Sequence, residues 1–250
     1  MSKTPKYALV TGASSGIGAA TARALATAGY RVIVAARRAD RLAEVANEMI
    51  EPRVVDVTDQ GSVDELAAYL VDKNLEVVVA NAGGAFDATS IAEADIQSWQ
   101  KSYEVNVIGA VRTIKALIPM LSGGGHIVIM GSTAGRSTYE GGGSYTAAKH
   151  AVVALAETLR LELNGLPIRV TEIAPGMVRT DEFASVRFGG DKVRAAKVYE
   201  GVAEPLVAED IADAVVWCVT RPAHVNVDLL VIRPIAQAAN HKVHRVIPSR

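Results

Sequence analysis

Short runs of consecutive apolar, β-branched residues alternate along this chain with longer stretches of helical period. Tyr7 to Thr11, Arg31 to Ala35, Arg53 to Val57, Glu76 to Ala80, His126 to Met130, Ile168 to Ile173 and Leu229 to Ile232 are predicted strands, with helices in the gaps. Runs such as Val77-Val78-Val79 and Ile127-Val128-Ile129 send apolar side chains to both faces of a sheet, so both faces must be covered. The pattern predicts an α/β fold: a doubly wound, seven-stranded parallel sheet with helices on both faces and ligands at the carboxyl ends of its strands. Gly29 and Gly165 are expected to close helices, and Pro167 to precede the sixth strand. Val105 to Leu121 and Val152 to Leu163 lack a polar face, a surplus that predicts subunit contacts or else a deep intrachain core.

Length and composition narrow the picture. At 250 residues, half of them hydrophobic, the chain suits one large domain with a well-buried core. With 26 basic against 27 acidic residues, bulk charge attracts neither nucleic acid nor an anionic membrane. Cys218 is the only cysteine, so no internal disulfide forms, and it is expected to be a buried small hydrophobe. The chain begins without the features of a secretory signal, and no apolar run approaches the roughly 20 residues of a membrane span. The expectation is a soluble cytoplasmic protein. No His, Cys or carboxylate spacing suggests a metal site.

The segment Thr11-Gly12-Ala13-Ser14-Ser15-Gly16-Ile17-Gly18 changes the picture most, because it follows the first strand and opens a helix. Glycine at positions 12, 16 and 18 permits a sharp turn, close approach to a pyrophosphate and tight helix packing, while the helix start supplies free N–H groups. With three and one residues between the glycines, in place of the one and two of the commoner fingerprint, the segment reads as a Rossmann-type dinucleotide turn, with a purely structural turn as the alternative. The second strand ends in Ala35-Ala36-Arg37-Arg38, where an acidic residue would normally receive an unphosphorylated ribose. With no carboxylate there to repel a 2′-phosphate, and with charge-assisted bonds from Arg37 and Arg38 worth about 1.5–3 kcal/mol each, NADP is the expected cofactor. The alternative for the pair is a solvated helix start. Asp56, beside Val57 at the end of the third strand, either accepts from an adenine amino group or is an ordinary turn aspartate.

Tyr145 and Lys149 stand one helical turn apart, on one face of a predicted helix, and Ser132 precedes the tyrosine by thirteen residues. A phenol titrates near pH 10, too high for proton transfer near neutrality unless a neighbouring cation stabilises the phenolate. Lys149 is the candidate cation, Tyr145 the candidate acid or base, and Ser132 the candidate partner of the substrate oxygen.

These motifs together resemble the short-chain dehydrogenase/reductase family over essentially the whole chain. The resemblance rests on Thr11 to Gly18, Asn81-Ala82-Gly83 after the fourth strand, Asn106, Ser132, Tyr145 with Lys149, and Pro175-Gly176 followed by Val178 and Thr180. It implies that Asn106 shapes its helix and holds a proton-relay water, that Lys149 also binds the nicotinamide ribose, and that Thr180 with Pro175-Gly176 positions the carboxamide. Where the family usually carries two asparagines this chain has Ala80-Asn81.

In the second half, Gly131 to Gly135, Glu182 to Phe188, Pro222 to Asn226 and His244-Arg245 resemble the NADP-dependent 3-hydroxy acid (serine or allo-threonine) dehydrogenases of that family, which are tetramers. This chain departs from them in Arg179-Thr180-Asp181, which puts the substrate pocket in question. Arg187 is the candidate for gripping a substrate carboxylate, with a surface cap or pairing as the alternative. Residues 181–204 read as a lid and 235–250 as a tail, either loose or docked on a neighbouring subunit. A reductase of 3-oxoacyl thioesters, a broad-range carbonyl reductase and a non-catalytic NADP sensor are the competing readings.

Overall fold

The structure, a computed structural model, describes residues 4–180 and 182–246. In chain order it runs β1 (Tyr7–Thr11), α1 (Gly16–Thr27), β2 (Arg31–Ala36), α2 (Ala39–Val45), β3 (Ile50–Val54), α3 (Gln60–Leu70), β4 (Leu75–Ala80), α4 (Ile96–Tyr103), α5 (Gly109–Leu117), β5 (Gly125–Met130), α6 (Gly143–Glu162) and β6 (Ile168–Pro175). There follow α7 (Phe183–Arg187), α8 (Lys192–Lys197), α9 (Ala208–Val219), β7 (Leu229–Ile232) and a small hairpin of β8 (Gln237–Ala239) and β9 (Lys242–Val243).

Seven strands pair in parallel in the order β3-β2-β1-β4-β5-β6-β7. The order reverses between β1 and β4, and the crevice opened there at the carboxyl ends is where an open α/β sheet binds its ligand. The apolar strand runs divide between two cores. Leu9, Ile33, Val78, Ile127 and Ile129 face Leu66, Ile114, Leu117, Ala148 and Val152 on α3, α5 and α6. On the other side Val10, Val34, Val79, Val128 and Ile173 face Leu25 of α1 and Ile211, Val215 and Cys218 of α9, so the lone cysteine is a core residue as expected.

The third strand begins three residues earlier than its pattern predicts, at Ile50, and ends at Val54. The earlier start brings Pro52 into the strand, which is tolerated because β3 is an edge strand, where a residue can lack an N–H. The helix expected over Val105 to Leu121 is divided into a π-turn over Glu104–Ile108 that continues from α4, then α5, then a 3-10 turn over Ile118–Leu121. Much of its apolar surplus turns inward, with Val107, Ile114 and Leu117 buried, whereas Val111 and, on α6, Leu161 stay exposed. Gly29 and Gly165 take the left-handed conformation (φ +94° and +91°) that closes a helix.

The predicted lid contains α7 and α8; Asp181, its first residue, lies outside the described residues. Over its described part the tail is tied to the rest of the chain at several points. Asn240 exchanges hydrogen bonds with Thr133, Gln237 accepts from the Met177 amide, and Arg245 donates to the Val198 and Glu200 carbonyls. Residues 247–250 lie outside the described residues. Among those described, no helix is long and apolar enough to cross a membrane, and no cluster of His, Cys, Asp and Glu could hold a metal ion.

Candidate active site

A cleft of about 1310 Å³ runs along the carboxyl ends of β1, β2, β4, β5 and β6 and is roofed by the lid. Its floor is the glycine turn. Gly12 has φ +65°, and a Cβ there would lie 2.7 Å from the Ala82 backbone; a Cβ on Gly18 would lie 2.5 Å from the Gly12 carbonyl. Asn81 staples the turn to β4, its Nδ2 donating to the carbonyls of Thr11 and Gly12 at 2.9 and 3.3 Å. The Thr11 hydroxyl accepts from the Asn81 and Ala82 amides at 3.1 Å each, a second staple that sequence reasoning did not assign. Ser15 precedes α1 without capping it through its side chain, so the first-turn amides remain available to an anion. Gly16 (φ +52°) faces the Thr180 methyl, which brings the β6 exit, with Val178, over the turn.

Arg37 and Arg38 both line the cleft beside the turn. Arg38, however, is already engaged: its two terminal nitrogens donate to the two Glu182 oxygens at 2.8 and 2.7 Å, and one also reaches Ser14 Oγ at 2.8 Å. Ser15 Oγ donates to the same carboxylate at 2.9 Å. The part of the cleft beside Arg37 and Arg38 therefore does hold a carboxylate, correcting the expectation drawn from β2 alone. It arrives from the lid, 144 residues away in sequence, which no local pattern could reveal. Arg38 holds the Glu182 carboxyl below its ordinary range. Asp56 binds the amide and hydroxyl of Thr58 at 2.9 and 2.7 Å; burial pushes its pKa upward, but those bonds and the Arg37 charge bring it below the usual value. Its neighbour Val57 packs against Gly109 at the start of α5.

At the other end of the cleft the candidate chemical groups converge. Ser132 ends the β5 extension and caps a 3-10 turn over Thr133–Gly135, its hydroxyl accepting from the Ala134 amide at 3.1 Å. Tyr145 and Lys149 rise from the first turns of α6, both buried, with Nζ 5.7 Å from the phenol ring centre. Phe183 of the lid packs edge-on against the Tyr145 ring at 5.5 Å. Burial pushes the phenol pKa upward, and the Ser132 hydroxyl acts against that shift. Burial also depresses the Lys149 ammonium from 10.5 to about 8, countered by the charge of Glu172. Lys149 Nζ donates to the Met130 carbonyl at 2.8 Å, an anchor that sequence gives no hint of.

Asn106 sits inside the π-turn, buried, with both amide hydrogens donated. Nδ2 donates to the Gly84 and Ser102 carbonyls at 2.9 and 2.8 Å and Oδ1 accepts from the Gly84 amide at 3.1 Å. A Cβ on Gly83 would touch Asn106 Oδ1, so Asn106 locks the loop after β4 against the helix break. Gly176, after Pro175, abuts the Gln237 amide of the tail. Arg187 donates to the Gly141 carbonyl at 3.2 Å and lies over the Tyr139 ring at 5.1 Å, while its buried Nε has no partner. Its charge reaches the Tyr145 phenol. Serine, phenol, ammonium and guanidinium thus share one end of a cleft whose other end is a glycine cradle.

A doubly wound parallel sheet carrying a phosphate-type glycine turn at the switch point and a buried Tyr–Lys pair beyond it defines a dinucleotide-dependent oxidoreductase. The chain belongs to the short-chain dehydrogenase family, whose model matches residues 6–188. It is 51% identical over 237 residues to an uncharacterized oxidoreductase of Mycobacterium tuberculosis (94% of this chain, 93% of the relative). With an NADP-dependent 3-hydroxy acid dehydrogenase of Salmonella typhi it shares 38% identity over 245 residues (95% and 98% of the chains). Among solved structures, the closed form of a serine dehydrogenase complexed with NADP+ superposes with a TM-score of 0.89 at 36% identity, covering 96% of this chain and all of that one.

Proposed function

We propose that this protein is an NADP(H)-dependent oxidoreductase that interconverts a secondary alcohol and a ketone on a small 3-hydroxy acid. The observation that carries the reading is the meeting of Ser132, Tyr145, Lys149 and the partly unpaired guanidinium of Arg187 at one end of the cleft. A hydroxy acid presents both a carbinol and a carboxylate, and this end of the cleft offers a proton acceptor for one and a planar donor for the other. The names of the relatives agree with that class.

The glycine cradle, with the amides at the start of α1 and the side chains of Ser14, Ser15 and Ile17, fits a pyrophosphate; Arg37 and Arg38 fit a 2′-phosphate; Asp56 and Val57 flank the adenine, and Asn81, Ala82 and Gly83 the ribose beyond. Pro175, Gly176, Val178 and Thr180 border the nicotinamide end. The bound cofactor supplies the hydride donor or acceptor. In alcohol oxidation Tyr145 takes the hydroxyl proton, and in ketone reduction it returns one. Lys149 as an ammonium stabilises the phenolate against burial and reaches toward the ribose, Ser132 hydrogen-bonds the reacting oxygen, and Asn106 fixes the loop beside Lys149 and holds the relay water. Arg187 binds the carboxylate, so substrates differ in KM according to whether they carry one.

A substrate panel tests the reading, with reduced cofactor followed by absorbance. Serine, allo-threonine and 3-hydroxyisobutyrate are expected to turn over with NADP. Turnover confined to acetoacetyl thioesters or uncharged ketones would move the assignment to a thioester or broad-range carbonyl reductase. NADPH binding with no turnover on any of these compounds would favour a sensor. We further assign a cytoplasmic homo-oligomer, a tetramer or dimer, whose contacts include the exposed Val111 and Leu161; sedimentation equilibrium checks it.

A further inference from the structure

Glu172 stands on β6, an interior strand of the sheet, and it is only 1% exposed. A carboxylate buried so deeply is costly unless it is paired and fully hydrogen-bonded. Arg136 meets both needs, its terminal nitrogens donating to the two oxygens at 2.8 and 2.7 Å in a fork. Arg136 lies four residues after Ser132, just past the 3-10 turn that Ser132 caps.

The same carboxylate touches the other end of that segment, since a Cβ on Gly131 would collide with the Glu172 side chain. Between these anchors Gly135 rests on α6, where a Cβ would lie 2.6 Å from the Lys149 carbonyl. The loop bearing the Ser132 hydroxyl is therefore gripped by Glu172 at both ends and seated on the backbone of Lys149. Neither Glu172 nor Arg136 has a part in the reaction steps assigned above.

We propose that Glu172, clamped by Arg136, is a positioning residue: the buried ion pair holds residues 131–136 so that Ser132 stays against Tyr145, and it sets a negative charge within reach of Lys149. The inference rests on the assignment of Ser132, Tyr145 and Lys149 to the chemistry. The charged surroundings of Lys149 are few. Its own helix presents Tyr145, β6 presents Glu172 with Arg136 joined to it, β5 offers the uncharged Met130 carbonyl, and the loop after β4 offers only Gly83 backbone. Arg187 and Tyr139 act on the phenol from the lid side.

Removing one partner or the other of the ion pair changes the charge left beside Lys149 with opposite sign, and this separates positioning with a charge from mere structural support. Glu172→Gln removes a negative charge and lowers the Lys149 titration point, whereas Arg136→Gln leaves the carboxylate unneutralised and raises it. Shifts of at least about half a pH unit each way are expected, read by NMR of isotope-labelled lysine in the ligand-free protein. The acid limb of alcohol oxidation moves in the same two directions. For Glu172→Gln, kcat falls about 10- to 100-fold as Ser132 drifts, while NADPH affinity stays within about twofold.

Glu172→Gln with Arg136→Gln places the Lys149 titration point between those of the two single variants and does not restore kcat, and it serves if a single variant fails to fold. Loss of thermal stability with both titration points unmoved, or moved in one direction, overturns the proposal. The lysine titration needs no turnover, so a wild-type protein inactive on every alcohol and ketone sinks the functional reading alone.

Discussion

Arg38, at the end of the second strand, and Glu182, at the start of the lid, form a two-pronged ion pair directly over the serines of the glycine turn. The fork of Arg38 is thereby filled, and a phosphate seeking the same guanidinium must take it from the carboxylate. Both side chains are partly exposed, so the contest is worth little in stability but enough to register in affinity.

Replacing Glu182 with glutamine is accordingly expected to tighten NADPH binding by about two- to fivefold, with much less effect on NADH. Arg37→Ala is expected to raise the KM for NADP far more than that for NAD. Fluorescence titration with both reduced cofactors and steady-state kinetics check the pair; weaker NADPH binding by the Glu182 variant would mean that the carboxylate clamps the cofactor instead of competing with it.

Tyr145→Phe removes only the phenol oxygen and leaves the ring packed on Phe183. Binding of NADPH should be unchanged while turnover drops by about 10²- to 10⁴-fold, the span of general acid–base catalysis. Retained turnover would reassign the proton transfer.

Arg187→Gln should raise KM for a hydroxy acid by about tenfold or more, the worth of a lost charge-assisted bond, and leave the KM of an uncharged ketone nearly unaltered. The Nε without a partner in the ligand-free protein is the reason to expect a substrate there. Equal effects on charged and uncharged substrates would reduce Arg187 to a lid anchor on Gly141.

Lys149 loses its proton at about pH 8 in the fold but at 10.5 when the chain is unfolded. A lowered pKa in a cation means that the unfolded chain binds more protons between those values, so the burden on the fold is full below pH 8 and vanishes above 10.5. It amounts to about 3 kcal/mol, against about 1–3 kcal/mol for leaving the Met130 carbonyl unpaired. Lys149→Met should therefore be inactive yet no less stable than the wild type at pH 7, with any advantage fading as pH rises through 8. Urea denaturation across that range checks the sign.

His126, buried in β5 with its Nε2 2.7 Å from Thr171 Oγ1, is held neutral by burial, its pKa lowered to about 3. The unfolded chain takes up this proton near pH 6.5, so stability should fall as pH drops below that value and continue falling toward 3. Between pH 6.5 and 5 the loss attributable to this group is about 2 kcal/mol. His126→Gln should flatten that part of the stability profile, and an unchanged slope would place the acid sensitivity elsewhere.

Local pattern accounts for much of this molecule. Seven apolar runs announce seven strands, because a parallel sheet wrapped on both faces admits little else at those positions, and the glycines at 12, 16 and 18 mark a turn only residues without Cβ can make. Tyr145 and Lys149 were legible for the same reason, since the helical repeat alone puts both on one face. The shift of β3 to Ile50 was not legible, because whether Pro52 is tolerated depends on the strand lying at the sheet's edge.

The three-dimensional fold alone decided what meets across long separations. It carried Glu182 to Arg38 and Asn240 to Thr133, set Glu172 beneath the Ser132 loop, and hung Lys149 on the Met130 carbonyl. Periodicity reports which way a side chain points relative to its own element, and such pairings depend on how elements from distant parts of the chain pack. The amino-acid sequence by itself determined the sheet, the cradle and the candidate side chains for the chemistry. Charge neutralisation and proton affinity were settled only by packing, because both depend on the water excluded and the partner supplied when separate segments close together.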